Sequence, residues 1–110
     1  MRPNKVLKDG KVAVLISPGY GAGWSSWNAP DYQEMMIFDE RFVQAALAGA
    51  SFKEVHQLAL KVFGLGPDDY ICTSGWDDIK VEWVDVGTSF EIEVYDGSER
   101  IRYLGHAFRA

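Results

Sequence analysis

Three glycines at alternate positions and two tryptophans three residues apart stand in the stretch Ser17-Pro18-Gly19-Tyr20-Gly21-Ala22-Gly23-Trp24-Ser25-Ser26-Trp27-Asn28. Glycine reaches backbone conformations closed to other residues and lets a ligand approach the peptide groups. The rings of Tyr20, Trp24 and Trp27 offer flat stacking surfaces, and Ser25, Ser26 and Asn28 add hydroxyl and amide contacts. This is the chemistry of recognition rather than of bond cleavage. A second segment, Ser74-Gly75-Trp76-Asp77-Asp78, repeats the Gly-Trp pairing and adds two carboxylates able to accept hydroxyl or amine donors or to meet a hard cation. The candidate ligand-binding residues are therefore Gly19, Tyr20, Gly21, Gly23, Trp24, Ser25, Ser26, Trp27, Asn28, Trp76 and Asp77. A structural reading competes for the same residues: a tight connection whose tryptophans plug the core, and an aspartate pair that closes a turn or caps a helix.

The reactions these residues exclude are easier to state. The spacing G-x-G-x-G departs from the dinucleotide fingerprint, and no Gly-Lys-Ser/Thr follows to make a P-loop. Pro30 comes too soon after Gly23 for a helix to start at the third glycine and receive a phosphate. His56 falls within a helical pattern and His106 near the chain end, in no metal-binding spacing. No G-x-S-x-G elbow accompanies the serines. Sixteen carboxylates offer no pair marked out for acid–base work. The residues thus select no catalytic group, no metal and no cofactor.

Elements that would position the candidate site follow from periodicity. Lys11–Ile16 is a β-branched apolar run ending at Ser17-Pro18-Gly19, which predicts a buried strand delivering the glycine loop from its carboxyl end. A first helix starts near Asp31 or again at Asp39, where Asp39 can cap Phe42, Val43, Ala46 and Leu47 before Gly49 stops it. Ser51-Phe52-Lys53-Glu54 has capping-box spacing and opens a second helix, with Val55, Leu58, Ala59, Val62 and Phe63 on one face, that ends at Gly64. Tyr70–Thr73 reads as a strand carrying a buried Cys72 thiol; if it lies beside the first strand, both Gly/Trp loops leave one sheet edge and wall one pocket.

The carboxyl half reads as a meander. Apolar alternation sets Trp83 opposite Phe90, Val81 opposite Ile92 and Ile79 opposite Val94 around the turn Asp85-Val86-Gly87-Thr88. The two-residue hairpin signal Asp96-Gly97 pairs Tyr95 with Ser98, Val94 with Glu99, Glu93 with Arg100, Ile92 with Ile101, Glu91 with Arg102 and Phe90 with Tyr103. One face would carry Trp83, Phe90, Tyr103, Val81, Ile92 and Ile101 beneath the helices; the other would carry Lys80, Glu82 and the Glu91, Glu93, Arg100, Arg102 ladder. That ladder serves an exposed surface or, with its arginines, a polar ligand. The predicted fold is a single α+β domain over residues 1–110: an N-terminal strand and Gly/Trp loop, two helices and a C-terminal antiparallel meander packed on them.

The 110 residues carry a net charge of −5, with 47% hydrophobic and 14% aromatic residues, the composition of one folded domain. Charge is unevenly spread: residues 1–11 and 100–110 each sum to +3, which leaves −11 for residues 12–99. An acidic body with basic ends disfavours direct nucleic-acid binding and suits either ordinary solubility or imitation of nucleic acid. No apolar run reaches the roughly 18 residues of a membrane helix, and no signal-peptide core follows Met1-Arg2-Pro3-Asn4-Lys5. The expectation is a soluble cytoplasmic protein without membrane contact, and Cys72, alone, forms no internal disulfide.

The glycine-tryptophan stretch after its apolar strand, with Tyr70-Ile71-Cys72 and Glu93-Val94-Tyr95-Asp96-Gly97-Ser98-Glu99 later in the chain, resembles a group of small bacteriophage-encoded proteins. The resemblance transfers no functional residue. It implies residence in the host cytoplasm and the roles that noncatalytic phage proteins take, inhibition of host proteins or capture of nucleotide signals. The leading functional expectation is a noncatalytic ligand-binding protein, an oligomeric sponge for a nucleotide-derived small molecule. Its rival is an acidic inhibitor that binds a host protein at its nucleic-acid site; assembly of a virion is a third role that no residue specifically favours.

Overall fold

In a computed structural model, which describes residues 2–21, 23–66 and 68–110, the chain forms an α+β globule. Ala22, inside the glycine motif, lies outside the described residues. In order, the elements are β1 (Leu7–Lys8), β2 (Lys11–Ile16), α1 (Pro30–Phe38), α2 (Glu40–Leu47), α3 (Phe52–Val62), a 3-10 turn at Ser74–Asp78, β3 (Lys80–Asp85), β4 (Ser89–Tyr95), β5 (Ser98–Arg102) and β6 (Phe108–Arg109). They build two antiparallel three-stranded sheets, ordered β1-β2-β3 and β5-β4-β6.

Strand β2 stands between two cores, which is why its apolar residues do not alternate with polar ones. Ala13 and Leu15 face Trp24, Phe42, Val55, Ala59 and Trp76 beneath α2 and α3; Val12, Val14 and Ile16 face Phe38 of α1 and Phe90, Ile92, Ile101 and Phe108 of the second sheet. Edge-to-face aromatic contacts tie each core: Trp24 to Phe42 with centroids 5.5 Å apart, and Phe38 to Phe90 at 5.9 Å.

This arrangement corrects the first half of the predicted meander. Trp83, Val81 and Ile79 do not pair with Phe90, Ile92 and Val94; β3 runs antiparallel to β2, with Ala13 opposite Trp83 and Leu15 opposite Val81. The alternation argument holds for each strand but assumes that neighbours in sequence are neighbours in the sheet. Strand β2 has a full six-residue ladder to offer β3, and the turn at Gly87, with φ +87°, sends the chain on into the other sheet. The expected apolar face is accordingly divided: Val81 and Trp83 lie over the helical core, Phe90, Ile92 and Ile101 over the other.

The second half follows the expected register from Tyr95↔Ser98 to Glu91↔Arg102. Asp96 and Gly97 both take positive φ, 48° and 80°, the twist a two-residue hairpin needs. Beyond Arg102 the strand stops, so Tyr103 is exposed and Phe90 pairs with Phe108 instead. The same Asp-Gly signal stands at Asp9-Gly10, where it closes the β1–β2 hairpin.

The capping box of α3 is formed as expected, with Ser51 and Glu54 bonding each other's backbone N–H. The expected pair of helices is three, because both proposed starts are used. Asp39, extended at φ −65° and ψ 135°, breaks the helix after Phe38 and caps α2. Its buried carboxylate accepts from Asn4 N–H, Arg41 N–H and Arg41 Nε, while Glu40 N–H donates to the Asn4 carbonyl. The N-terminal segment is thereby docked at the break. Tyr70–Thr73, expected as a strand, is irregular backbone, although Cys72 is buried as read.

Burial pushes the Asp39 carboxyl upward, but the Arg41 side chain and the Asn4 and Arg41 amides outweigh it and hold the group below its ordinary value of 3.8. Its ionised form stabilises the fold above that value, and the contribution is lost as pH falls through the lowered one. Urea denaturation of Asp39→Ala at pH 7 is expected to show a loss of about 1–2 kcal/mol, a difference from the unmodified protein that shrinks below pH 4.

Candidate functional site

The glycine loop is built around a buried carboxylate from the opposite end of the chain. Glu99 of β5, 1% exposed, accepts from the backbone N–H of Ser17 (2.9 Å), Trp24 (2.9 Å) and Ser26 (3.0 Å), and from the Ser26 hydroxyl. Its own N–H donates to the Ser17 carbonyl at 2.8 Å. A carboxylate can take several donors at once, and here it gathers amides that an open loop would otherwise present to solvent or ligand. Two further bonds lay the loop along the β4–β5 turn: Gly21 N–H to the Asp96 carbonyl and Ser98 Oγ to the Pro18 carbonyl, each 2.7 Å.

The Asn28 and Ser17 side chains are also engaged internally. The Asn28 amide donates to the Trp24 and Cys72 carbonyls and accepts from Cys72 N–H, binding residue 72 in the manner of a strand neighbour. Ser17 Oγ donates to the Gly75 carbonyl, and a Cβ on Gly75 would fall 2.5 Å from the Gly23 carbonyl oxygen. The two Gly/Trp segments therefore meet, backbone against backbone, although the strand expected to bring them to one sheet edge is not formed. A Cβ on Gly19 would collide with the Asp78 side chain, and one on Gly23 with Ser26 and Trp27.

The structure separates the tryptophans. Trp24 is fully buried, donates from Nε1 to the Met36 carbonyl and lies 5.4 Å from Trp76, itself buried and bonded to the Ala50 carbonyl. These two rings plug the core and present no face for stacking. Trp27 remains 46% exposed, Asp77 is exposed and Ser25 is buried. His56 Nδ1 pairs with Thr73 Oγ1 at 2.7 Å, and no cluster of three metal-ligating side chains occurs among the described residues.

The most exposed ring of the motif is Tyr20. It is 76% exposed and shares a cleft of about 290 Å³ with Tyr95, 73% exposed, together with Glu93, Ser98 and Arg100. Arg100 donates from Nη2 to Glu93 at 2.8 Å; this hydrogen bond draws the Glu93 carboxyl below its ordinary range and raises the guanidinium. Arg102 and Glu91, 3.3 Å apart, continue the ladder beside it. Of these groups Tyr20 is legible as a site residue, and the Glu93–Arg100 pairing follows from the hairpin register. Tyr95 and Ser98 are found only when the loop is seen beside the turn. The missed organiser, Glu99, does leave a signal: the register sets it opposite Val94, an acidic residue on an otherwise apolar face.

The chain matches no family model, no curated protein and no solved structure.

If Trp24 is a core residue and Trp27 a surface one, their truncations must differ. Trp24→Ala is expected to cost about 3–5 kcal/mol and Trp27→Ala about 0.5 kcal/mol or less, read by chemical denaturation. Glu99→Ala leaves buried N–H groups without an acceptor and is expected to cost about 3 kcal/mol or more, with the amide signals of Ser17, Trp24 and Ser26 shifting most in an NMR spectrum.

Proposed function

We propose that the protein is a noncatalytic binding protein whose cleft between Tyr20 and Tyr95 takes a small flat ligand bearing an anionic group, of the nucleotide-derived class. The observation that carries this reading is convergence. Two largely exposed tyrosines, one from the glycine loop and one from the β4–β5 hairpin, line the same cleft with a guanidinium. Exposed rings suit the faces of a base, and Arg100, engaged by Glu93 through Nη2 alone among the described residues, has N–H donors left for an anion. The Glu99 network would hold the loop against the hairpin so that little order need be gained on binding.

Titration with a panel of nucleoside monophosphates and cyclic dinucleotides, with ribose 5-phosphate as the ringless control, tests the reading. Tyr20→Ala and Tyr95→Ala are each expected to weaken binding by about 1–3 kcal/mol without lowering the melting temperature. Binding that survives both changes, equal binding of ribose 5-phosphate, or no binding by any panel member overturns it.

A second reading, the acidic inhibitor of a basic host protein, is supported by the exposure of Asp77, Asp78 and Asp85. Association through such charges falls steeply with ionic strength, and neutralising the three acids slows it. Binding in the tyrosine cleft, which draws part of its affinity from ring contact, is weakened only partly by modest added salt.

A further inference from the structure

Strand β4 is an edge strand for half its length. Its residues alternate in the direction their backbone groups face, because hydrogen-bonded and non-hydrogen-bonded pairs alternate along an antiparallel ladder. The tight Asp96-Gly97 turn makes Tyr95–Ser98 a hydrogen-bonded pair, so Tyr95, Glu93 and Glu91 bond β5 while Val94, Ile92 and Phe90 face the opposite edge. There the C-terminal segment covers only the beginning. Ala110 N–H donates to the Thr88 carbonyl, Phe108 pairs with Phe90, and the segment before Ala107 leaves the edge, with Gly105 against the Glu91 side chain. The edge groups of Ile92 and Val94 have no backbone partner among the described residues.

A groove of about 370 Å³ runs along this open stretch. Ile92 and Val94 form one wall, Ser25, Ser26 and Gln33 the other, and Phe108 lies where β6 leaves off. Val94 is among the exposed large apolar residues. On the outer face of the same strand stand Glu91 and Glu93, each paired with an arginine on its β5 side and, among the described residues, with no ion-pair partner on the open side.

We propose that this edge binds an extended segment of a partner protein by strand addition, the segment carrying apolar residues toward the groove and a lysine or arginine beside Glu93. Backbone bonding to Ile92 and Val94 supplies the affinity that any strand has for an open edge. Charge selects among strands: a basic residue on the added strand places Glu93 between two cations, continuing the alternation that Arg100 begins, whereas an acidic one lies directly opposite a like charge. A second copy of this chain pairing edge to edge in antiparallel register about Ile92 or Glu93 would set glutamates face to face, and the proposal therefore commits to a basic-apolar segment of a different protein. Glu93 also lines the tyrosine cleft, but Ile92, Val94 and the groove do not, so the inference does not rest on that reading.

Two acetylated, amidated probes, Val-Lys-Val-Lys-Val and Val-Glu-Val-Glu-Val, test it against the full chain by NMR and amide hydrogen exchange. The expected result is binding of the lysine peptide at least tenfold tighter than of the glutamate peptide, with exchange at the Ile92 and Val94 amides slowed at least tenfold. Glu93→Lys should reverse the preference between peptides. Val94→Pro removes an outward N–H that the β4–β5 ladder does not use, and it should weaken binding at least tenfold with Glu93 and Tyr95 still protected. A lysine peptide N-methylated on its edge-facing amides tests the same bonds with the protein unaltered, and it should lose binding to the same extent. Binding without protection of Ile92 and Val94, equal affinity for both peptides, full binding by the N-methylated peptide, or no binding by the lysine peptide overturns the proposal.

Discussion

A carboxylate withdrawn from water must find donors, and the position of Glu99 makes every donor it finds a structural commitment. Three amides and a hydroxyl of the glycine loop converge on it, and its own amide returns a bond to Ser17. One end of the loop is thereby pinned to the end of β2 and the other to the entry of the segment carrying Trp27 and Asn28. Because Glu99 sits on β5, the pinning also orients the β4–β5 hairpin against β2 and brings Tyr95 beside Tyr20. Replacing the group would affect the loop, the junction between the sheets and the cleft together, since all three share the same acceptor.

The consequence for recognition is a division of labour within one motif. The backbone amides of Ser17, Trp24 and Ser26 are taken by Glu99 and that of Gly21 by Asp96, and the Asn28 side-chain amide is taken by residue 72. Trp24 is drawn inward because it joins Phe42 and Trp76 in the helical core and finds an acceptor for its indole N–H. The groups left facing outward, Tyr20, Trp27, Tyr95 and the Glu–Arg ladder, are those whose solvent exposure costs little. Binding chemistry on this molecule is therefore a matter of the surface that the network supports rather than of the network itself.

Strand β2 divides the interior, and that division explains why each sheet has a different kind of neighbour. Helices α2 and α3 cover one side of β2, and the second sheet together with Phe38 covers the other. A strand buried on both faces carries no alternation to mark which neighbour lies on which side. The chain resolves this at Gly87, where β3 ends its pairing with β2 and β4 starts a separate sheet, leaving the far half of β4 at an edge.

Local features were legible wherever a short-range rule determines the outcome. The Asp96-Gly97 turn set five cross-strand pairs, Ser51 and Glu54 announced the start of α3, and the apolar run Lys11–Ile16 announced a buried strand. Asp39 was legible as a cap, and its extended backbone explains why two helices stand where one continuous element was an alternative. The strand partners of β3, the burial of Trp24 and the role of Glu99 were decided only in three dimensions. Each depends on which distant surfaces compete for the same residue: β2 paired with β3 along its whole length, the helical core took the indole, and the amides of residues 17–26 gave Glu99 the donors that its place on an apolar face demanded. Sequence carries turns, caps and periodicities because they involve residues a few positions apart, whereas partner choice is a comparison between alternatives that exist only once the chain has been brought together.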